Sequence, residues 1–309
     1  MDKEHYKQMV VTILDDLAYY EKLKGEPSKS DRMKYNKLIV EFQYCLTDKE
    51  IDYLQNFEVK TSNFYGLPKV HKSKHISELC KKATTEYVEV TNVTDLKLRP
   101  IVAGPACQTH RLSNVLDILL RPLTKYVPSY LRDSTDFLNS LPEKITARTI
   151  LASFDVESLY SNIPHVLGLE ALQYWLNLYP EEIPKSFDKE FIMEAAKLIL
   201  LNTTFYFNGK YYRQIKGTAM GTKFAPVYAT LVIGYLENKL YNDVSSTFGE
   251  EFKDYFKDHW KRFLDDIFIL WTRSTKDLEI LEKLLNSLNE NLNLRWRKAT
   301  LNYPSWMFL

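Results

Sequence analysis

Arg262-Phe263-Leu264-Asp265-Asp266-Ile267-Phe268-Ile269-Leu270 sets two adjacent carboxylates inside an apolar, strand-like run. Burying an unpaired charge is costly, so the pair needs either a compensating cation or a water-exposed turn. Upstream, Ile150-Leu151-Ala152-Ser153-Phe154-Asp155-Val156 repeats the arrangement and ends a second strand on a lone acid, Asp155. Three carboxylates converging from two strand ends form an oxygen-rich site suited to Mg²⁺. Two such ions about 4 Å apart serve phosphoryl transfer in polymerases and nucleases. Taken singly, Asp265-Asp266 also reads as a solvated turn and Asp155 as a satisfied strand-end residue. The apolar flanks and the repetition weigh against both.

The chain has 309 residues, of which 45% are hydrophobic and 14% aromatic, enough for a sizeable core and about two subdomains. Its formal charge is only +1, so a nucleic-acid surface must be a local patch. Cys45, Cys80 and Cys107 are widely spaced and form no CxxC, which fits reduced thiols in an intracellular protein. The start, Met1-Asp2-Lys3-Glu4-His5, has no apolar h-region, which argues against secretion. No apolar stretch approaches the roughly 20 residues of a membrane span.

Apolar spacing predicts helices over residues 4–24 and 31–58, broken by Gly25-Glu26-Pro27-Ser28. Residues 62–72 read as extended and Lys74 to Thr85 as a loop. Val88–Val93 and Leu98–Ala103 read as a strand pair, and residues 107–130 as helical. A strand over Leu151–Val156 leads to helices after Pro164 and over Ile192–Asn202. Asn208-Gly209 between Phe205-Tyr206-Phe207 and Lys210 to Ile215 is the strongest hairpin signal. Residues 222–243 form a helix apolar on most faces and therefore buried. Trp260–Thr272 is a strand–turn–strand with the acid pair at the turn, followed by an amphipathic helix over 275–292 and a strand over Leu292–Arg297. The order predicts an α+β fold with a mixed sheet and helices on one face.

Two further segments carry chemistry. Gly217-Thr218-Ala219-Met220-Gly221-Thr222-Lys223-Phe224-Ala225-Pro226 opens the buried helix with small residues that admit close backbone approach. Helix N-terminal amides and Arg213, Lys216 and Lys223 suit phosphates or base edges; an ordinary strand-to-helix turn is the plainer alternative. Phe64-Tyr65-Gly66-Leu67-Pro68-Lys69-Val70-His71-Lys72 and Lys97-Leu98-Arg99-Pro100-Ile101 interleave cations with aromatics and rigid residues. Alone, they read as well as a solvated basic loop.

Together these segments, with Phe154-Asp155-Val156-Glu157-Ser158-Leu159-Tyr160-Ser161-Asn162-Ile163-Pro164, stand in the order found in reverse transcriptases. The wording closely resembles the Penelope-like retroelement reverse transcriptases, over nearly the whole chain to about Arg297. The resemblance implies a right-hand polymerase: a helical lead-in over 1–60, fingers over 61–149, and a palm over 150–298 whose mixed or antiparallel sheet is backed by helices. Asp155 and Asp265, with the Val156 backbone carbonyl, match the residues that hold two Mg²⁺, or Mn²⁺ in their place; Asp266 is an accessory acid. Lys69 and Arg99 match cations that grip the incoming triphosphate. Tyr160 matches the residue whose bulk excludes a ribose 2′-OH, although it also reads as a core aromatic. Gly221 matches the flexible glycine near the template–primer, where Lys72, Arg213, Lys216 and Lys223 are the candidate contacts. Met220 stands where most reverse transcriptases have Gln. The implied partners are an RNA template with a DNA primer and deoxynucleoside triphosphates, with no membrane and a location in the nucleus or cytoplasm. No protein partner is legible.

Both ends depart from the family pattern. The chain starts within the family's N-terminal segment, and residues 299–309 replace a Leu-Pro-Phe-Leu-Asp-Val-like stretch, further palm elements, a thumb and an endonuclease domain. Read two bases later, Trp306-Met307-Phe308 becomes Asp-Val whatever codons are used, which implies a frameshift or misphased splice near residue 299. The expectation is an intact metal site with poor processivity, poor solubility or no activity. The alternative is a non-catalytic nucleic-acid-binding remnant; an RNA-templated RNA polymerase and a nuclease are weaker readings.

Overall fold

Residues 2–90 and 93–298 are described in the computed structural model. Their strands are β1 (Tyr20–Lys22), β2 (Ser62–Pro68), β3 (Leu98–Ala103), β4 (Ile150–Val156), β5 (Thr204–Phe207), β6 (Lys210–Gln214), β7 (Trp260–Phe263), β8 (Asp266–Trp271) and β9 (Leu294–Lys298). The helices are α1 (Lys3–Leu14), α2 (Ser28–Glu41), α3 (Asp48–Gln55), α4 (Lys74–Lys82), α5 (His110–Leu120), α6 (Ser134–Ser140), α7 (Leu159–Asn162), α8 (His165–Leu178), α9 (Lys189–Leu201), α10 (Phe224–Phe248), α11 (Glu250–His259) and α12 (Thr275–Ser287).

The strands divide into two sheets. One has the order β1-β6-β5-β2-β3 and is mixed, because β2 runs parallel to β5. The other, β7-β8-β4-β9, is antiparallel throughout. The α+β class, with mixed and antiparallel sheets and packed helices, agrees with the sequence reading; the division of the strands into two sheets was not specified there. The Asn208-Gly209 hairpin forms as predicted, with φ of 46° and 81° at the turn. It joins the first sheet because Phe205 and Tyr212 pack with Tyr20 and Phe64 in a separate small core.

Helix α10 is the hub of the larger core. It is buried around most of its circumference and packs against α5, α8 and α11. The Trp175 indole of α8 donates 2.8 Å to the Leu231 carbonyl of α10. Strand β8 is covered on both faces: Ile267, Ile269 and Trp271 enter the main core, while Phe268 and Leu270 meet Leu131 and Phe137. Two-sided burial explains its continuous apolar run, where a half-buried strand would alternate.

Several predicted elements change. The helix expected over 4–24 ends at Leu14, because the Asp16 carboxylate accepts from the Ala18 amide and turns the chain into β1. The span 31–58 is two helices separated by a 3₁₀ turn. The expected loop after Lys74 contains α4, whose start is capped by Ser73 and by Asp95 from about twenty residues away. The partner of β3 is β2 rather than Val88–Val93; residues 88–90 form no strand, and 91 and 92 lie outside the described residues. The helix over 107–130 becomes 3₁₀ from Arg121, where Pro122 supplies no amide. Helix α11 was not anticipated. The tail from residue 299 lies outside the described residues, and so does its proposed frameshift. No helix among the described residues is long and apolar enough to cross a membrane.

The α8–α10 contact yields a paired prediction. Tyr228 is buried, and its hydroxyl has no hydrogen-bond partner among the described residues. Tyr228→Phe should leave stability unchanged or raise it by up to about 1 kcal/mol. Trp175→Ala should cost about 3–5 kcal/mol. Urea unfolding monitored by circular dichroism measures both.

Candidate active site

The pairing of β4 with β8 sets Asp155 directly opposite Asp266. Like charges facing across a ladder repel. Leu264 and Asp265 form the two-residue turn between β7 and β8, and Leu264 adopts a positive φ of 53°. The turn is tied down because the Val156 amide donates 3.1 Å to the Asp265 carbonyl. Burial pushes the Asp265 carboxyl above its ordinary value, and the Asp155 charge adds to the effect. Burial pushes Asp266 up to about 6, with help from Asp265 and Asp155.

Facing the acids is a wall of cations. Strands β2 and β3 pair Leu67 with Arg99, and the Lys69 amide donates to the Lys97 carbonyl at 2.8 Å, so Lys69, Lys97 and Arg99 gather at one sheet end. The half-buried Lys69 ammonium is held below its ordinary value by burial and then by Lys72 and Arg99. Crowded cations of this kind favour an anion between them. Lys72 reaches across to Asp155, where Lys72 Nζ and Arg297 each lie 3.4 Å from Oδ2.

The glycine segment links β3 to α7, the short helix that follows β4. Gly217 has φ of 73°, and a Cβ there would lie 2.3 Å from the Tyr160 carbonyl, to which the Thr218 amide donates at 2.7 Å. His165 Nε2 lies 2.8 Å from the Gly217 carbonyl. Four residues on, Gly221 has φ of 121°, and a Cβ would lie 2.5 Å from the Val102 carbonyl. Met220 accepts from the Val102 amide at 3.0 Å. Both glycines are required by backbone conformation and by close approach.

These parts enclose one cavity of about 600 Å³. Asp155, Asp265, Val156, Lys69, Lys72, Arg99, Tyr160 and Gly221 all line it. Asp266 stands behind them in the ladder and is not among the lining residues. Arg213, Lys216 and Lys223 lie elsewhere. Arg213 pairs with Glu21 within the first sheet, Lys216 donates to Asn291 at 2.7 Å, and Lys223 is exposed just before α10. Lys97, Glu157, Ser158, Ser161 and Thr222 also line the cavity; the sequence reading quoted them within its motifs but gave them no individual role. Each lies within two residues of one it did single out, so proximity along the chain was the available signal.

Among the described residues, no three His, Cys, Asp or Glu side chains are gathered as a ready-made metal cage. The donor chemistry nevertheless fits a hard divalent ion: Asp155 and Asp265 offer only oxygen, and a cation between them would relieve the burial and the Asp155 charge that push Asp265 up.

No protein-family model matches the sequence, and no curated protein matches it. Solved structures do. The chain is similar to the telomerase of Candida albicans in complex with a fragment of telomeric RNA, with a TM-score of 0.58 and 10% identity over 98% of this chain and 48% of that one. It is also similar to the RNA-dependent RNA polymerase of bacteriophage phi12, with a TM-score of 0.50 and 13% identity over 85% of this chain and 45% of that one. The chain thus spans about half the length of the structures it matches. It shares the fingers-and-palm fold of these polymerases.

The raised Asp266 carboxyl sets a pH dependence. The folded state binds that proton more tightly than the unfolded state, so ionised Asp266 weakens the fold above about pH 6. The penalty is relieved as pH falls through about 6 towards the unfolded carboxylate value. In EDTA, Asp266→Asn should raise Tm at pH 7.5, with the gain shrinking towards pH 5. Thermal melts across that range read the difference, and a gain independent of pH would contradict it.

Proposed function

We propose that this chain is an RNA-directed DNA polymerase domain of Penelope-like retroelement type, joining deoxynucleotides to a primer 3′-OH on an RNA template. The observation that carries the reading is the opposition, across one cavity, of Asp155 and Asp265 to Lys69, Lys72 and Arg99. A nucleoside triphosphate with a divalent ion is a body of matching charge. In this reading, the sheet of β2 and β3 acts as the fingers and the sheet of β4 and β8 as the palm.

Asp155 and Asp265, with the Val156 carbonyl, would hold Mg²⁺, or Mn²⁺ in its place; when bound it would supply Lewis-acid polarisation of the primer hydroxyl and of the phosphates. Lys69 and Arg99 grip the triphosphate and orient it. Asp266 acts as an accessory acid from the adjoining ladder position. Tyr160 lines the cavity, and burial beside Asp265 pushes its phenol up to about 12, so it stays neutral and acts by bulk against a ribose 2′-OH. The Gly221 backbone, Lys72 and the exposed Lys223 face template–primer phosphates. Arg213 and Lys216, already engaged with Glu21 and Asn291, support the loop that presents them.

Primer extension on poly(rA)–oligo(dT) with Mg²⁺ tests the reading. Deoxynucleotide incorporation should occur and fall by at least about 10³-fold in Asp265→Ala. Folded protein that binds the hybrid without extending it would make the chain a non-catalytic binding remnant. Tyr160→Ala should raise ribonucleotide incorporation relative to deoxynucleotide by roughly 10-fold or more. Unchanged discrimination would return Tyr160 to a packing role.

A further inference from the structure

Behind the Leu264–Asp265 turn lies a fully buried ion pair that the sequence reading did not single out. Arg262, at the end of β7, and Glu237, near the middle of α10, are 0% and 3% exposed at their side chains. Arg262 Nε donates to Glu237 Oε1 at 2.9 Å, and one terminal nitrogen donates to Oε2 at 3.3 Å. The same nitrogen donates to the Thr230 carbonyl at 3.2 Å. The other terminal nitrogen donates to the Leu264 carbonyl at 3.3 Å. Glu237 is saturated by Trp260 Nε1 at 2.9 Å and the Ser129 hydroxyl at 2.6 Å.

A buried ion pair is a poor device for stability, since well-packed apolar residues often do as well. What it supplies is direction. Leu264 holds a backbone conformation that a non-glycine residue rarely adopts, and its carbonyl is fixed by the Arg262 fork. The peptide group carrying that carbonyl leads directly into Asp265. Glu237 lies on the helix that follows the glycine segment, so the network ties that helix to the β7–β8 turn.

We propose that Arg262 and Glu237 form a positioning pair, which holds the Leu264 carbonyl and thereby aims the Asp265 carboxylate into the cavity. This rests on the polymerase reading for its catalytic consequence, but not for its structural one. Arg262→Met alone leaves Glu237 as an unpaired buried charge and is expected to unfold. Two other variants serve: Arg262→Met with Glu237→Gln, which removes the charges together, and Arg262→Lys, which keeps the charge and loses the fork.

Each is compared with wild type by melting temperature, by amide hydrogen exchange of the peptide spanning residues 262–268, and by single-nucleotide incorporation. In whichever variant melts within a few degrees of wild type, exchange at the turn should quicken about tenfold or more while the rest of the chain is unchanged. kcat should fall roughly 10²-fold, with KM for the nucleotide within about threefold of wild type. A folded variant with unchanged exchange at the turn, or with unchanged kcat, overturns the proposal. If wild type itself incorporates nothing, the polymerase reading fails separately, and the exchange result alone decides whether the pair positions the turn.

Discussion

The site depends on the register of β4 against β8. That register faces Asp155 with Asp266, an arrangement electrostatics opposes. It persists because both strands are locked by what their other residues bury. Ala152, Phe154 and Val156 point into the main core, and β8 is covered on both faces. A slip of one residue in β4 would turn Ala152, Phe154 and Val156 out of that core and bring Ser153 and Asp155 in. Hydrophobic burial therefore holds three carboxylates in a neighbourhood they would leave if free.

The rest of the cavity answers the resulting field. Cations stand on the wall formed by β2 and β3 and acids on the wall formed by β4 and β8, with the glycine segment bonded to β3 on one side and to α7, just after β4, on the other. The formal charge of +1 conceals this segregation, because the two walls nearly cancel in the sum. Two cations even meet Asp155 directly, yet both lie at 3.4 Å, the long edge of a charge-assisted contact. Each is also more than half exposed, so water competes for it.

The parts legible in the sequence were those set by local pattern: the acid strands, the Asn208-Gly209 hairpin and the long buried helix. What stayed hidden was set at a distance. Helix α4 depends on Asp95 reaching back to cap it, and β1 exists because Tyr20 finds Phe64 and Phe205. The division into two sheets follows from a small aromatic core assembled from residues nearly two hundred positions apart. The same rule divides the site. Asp155, Asp265, Lys69, Arg99, Tyr160 and Gly221 were named from motifs and meet in one cavity. Arg213 and Lys216 were named for charge alone, and the fold engages them elsewhere. Arg262 was in plain view beside the acid pair, but its meaning required Glu237 to arrive from another element.

The distribution of backbone strain favours a chemical role for the cavity over a structural one. Among the described residues, three non-glycine positions have positive φ: Ser158, Asn208 and Leu264. Asn208 is accounted for by its hairpin turn, which requires that conformation. Leu264 also opens a two-residue hairpin turn, but at a position where such turns favour Asn, Asp or Gly; Ser158 starts no hairpin, and both line the cavity. They flank the two strand ends that carry Asp155 and Asp265. A fold selected only for packing would place glycine there or relax the turns. A fold that must hold two carboxylates at a set aim has reason to keep side chains whose burial and hydrogen bonds fix the strained geometry. Leu264 is held by Arg262 and leads directly to Asp265; Ser158 starts the short helix that carries Tyr160. The two non-glycine residues of positive φ outside the Asn208-Gly209 turn thus both stand beside the residues of the proposed chemistry.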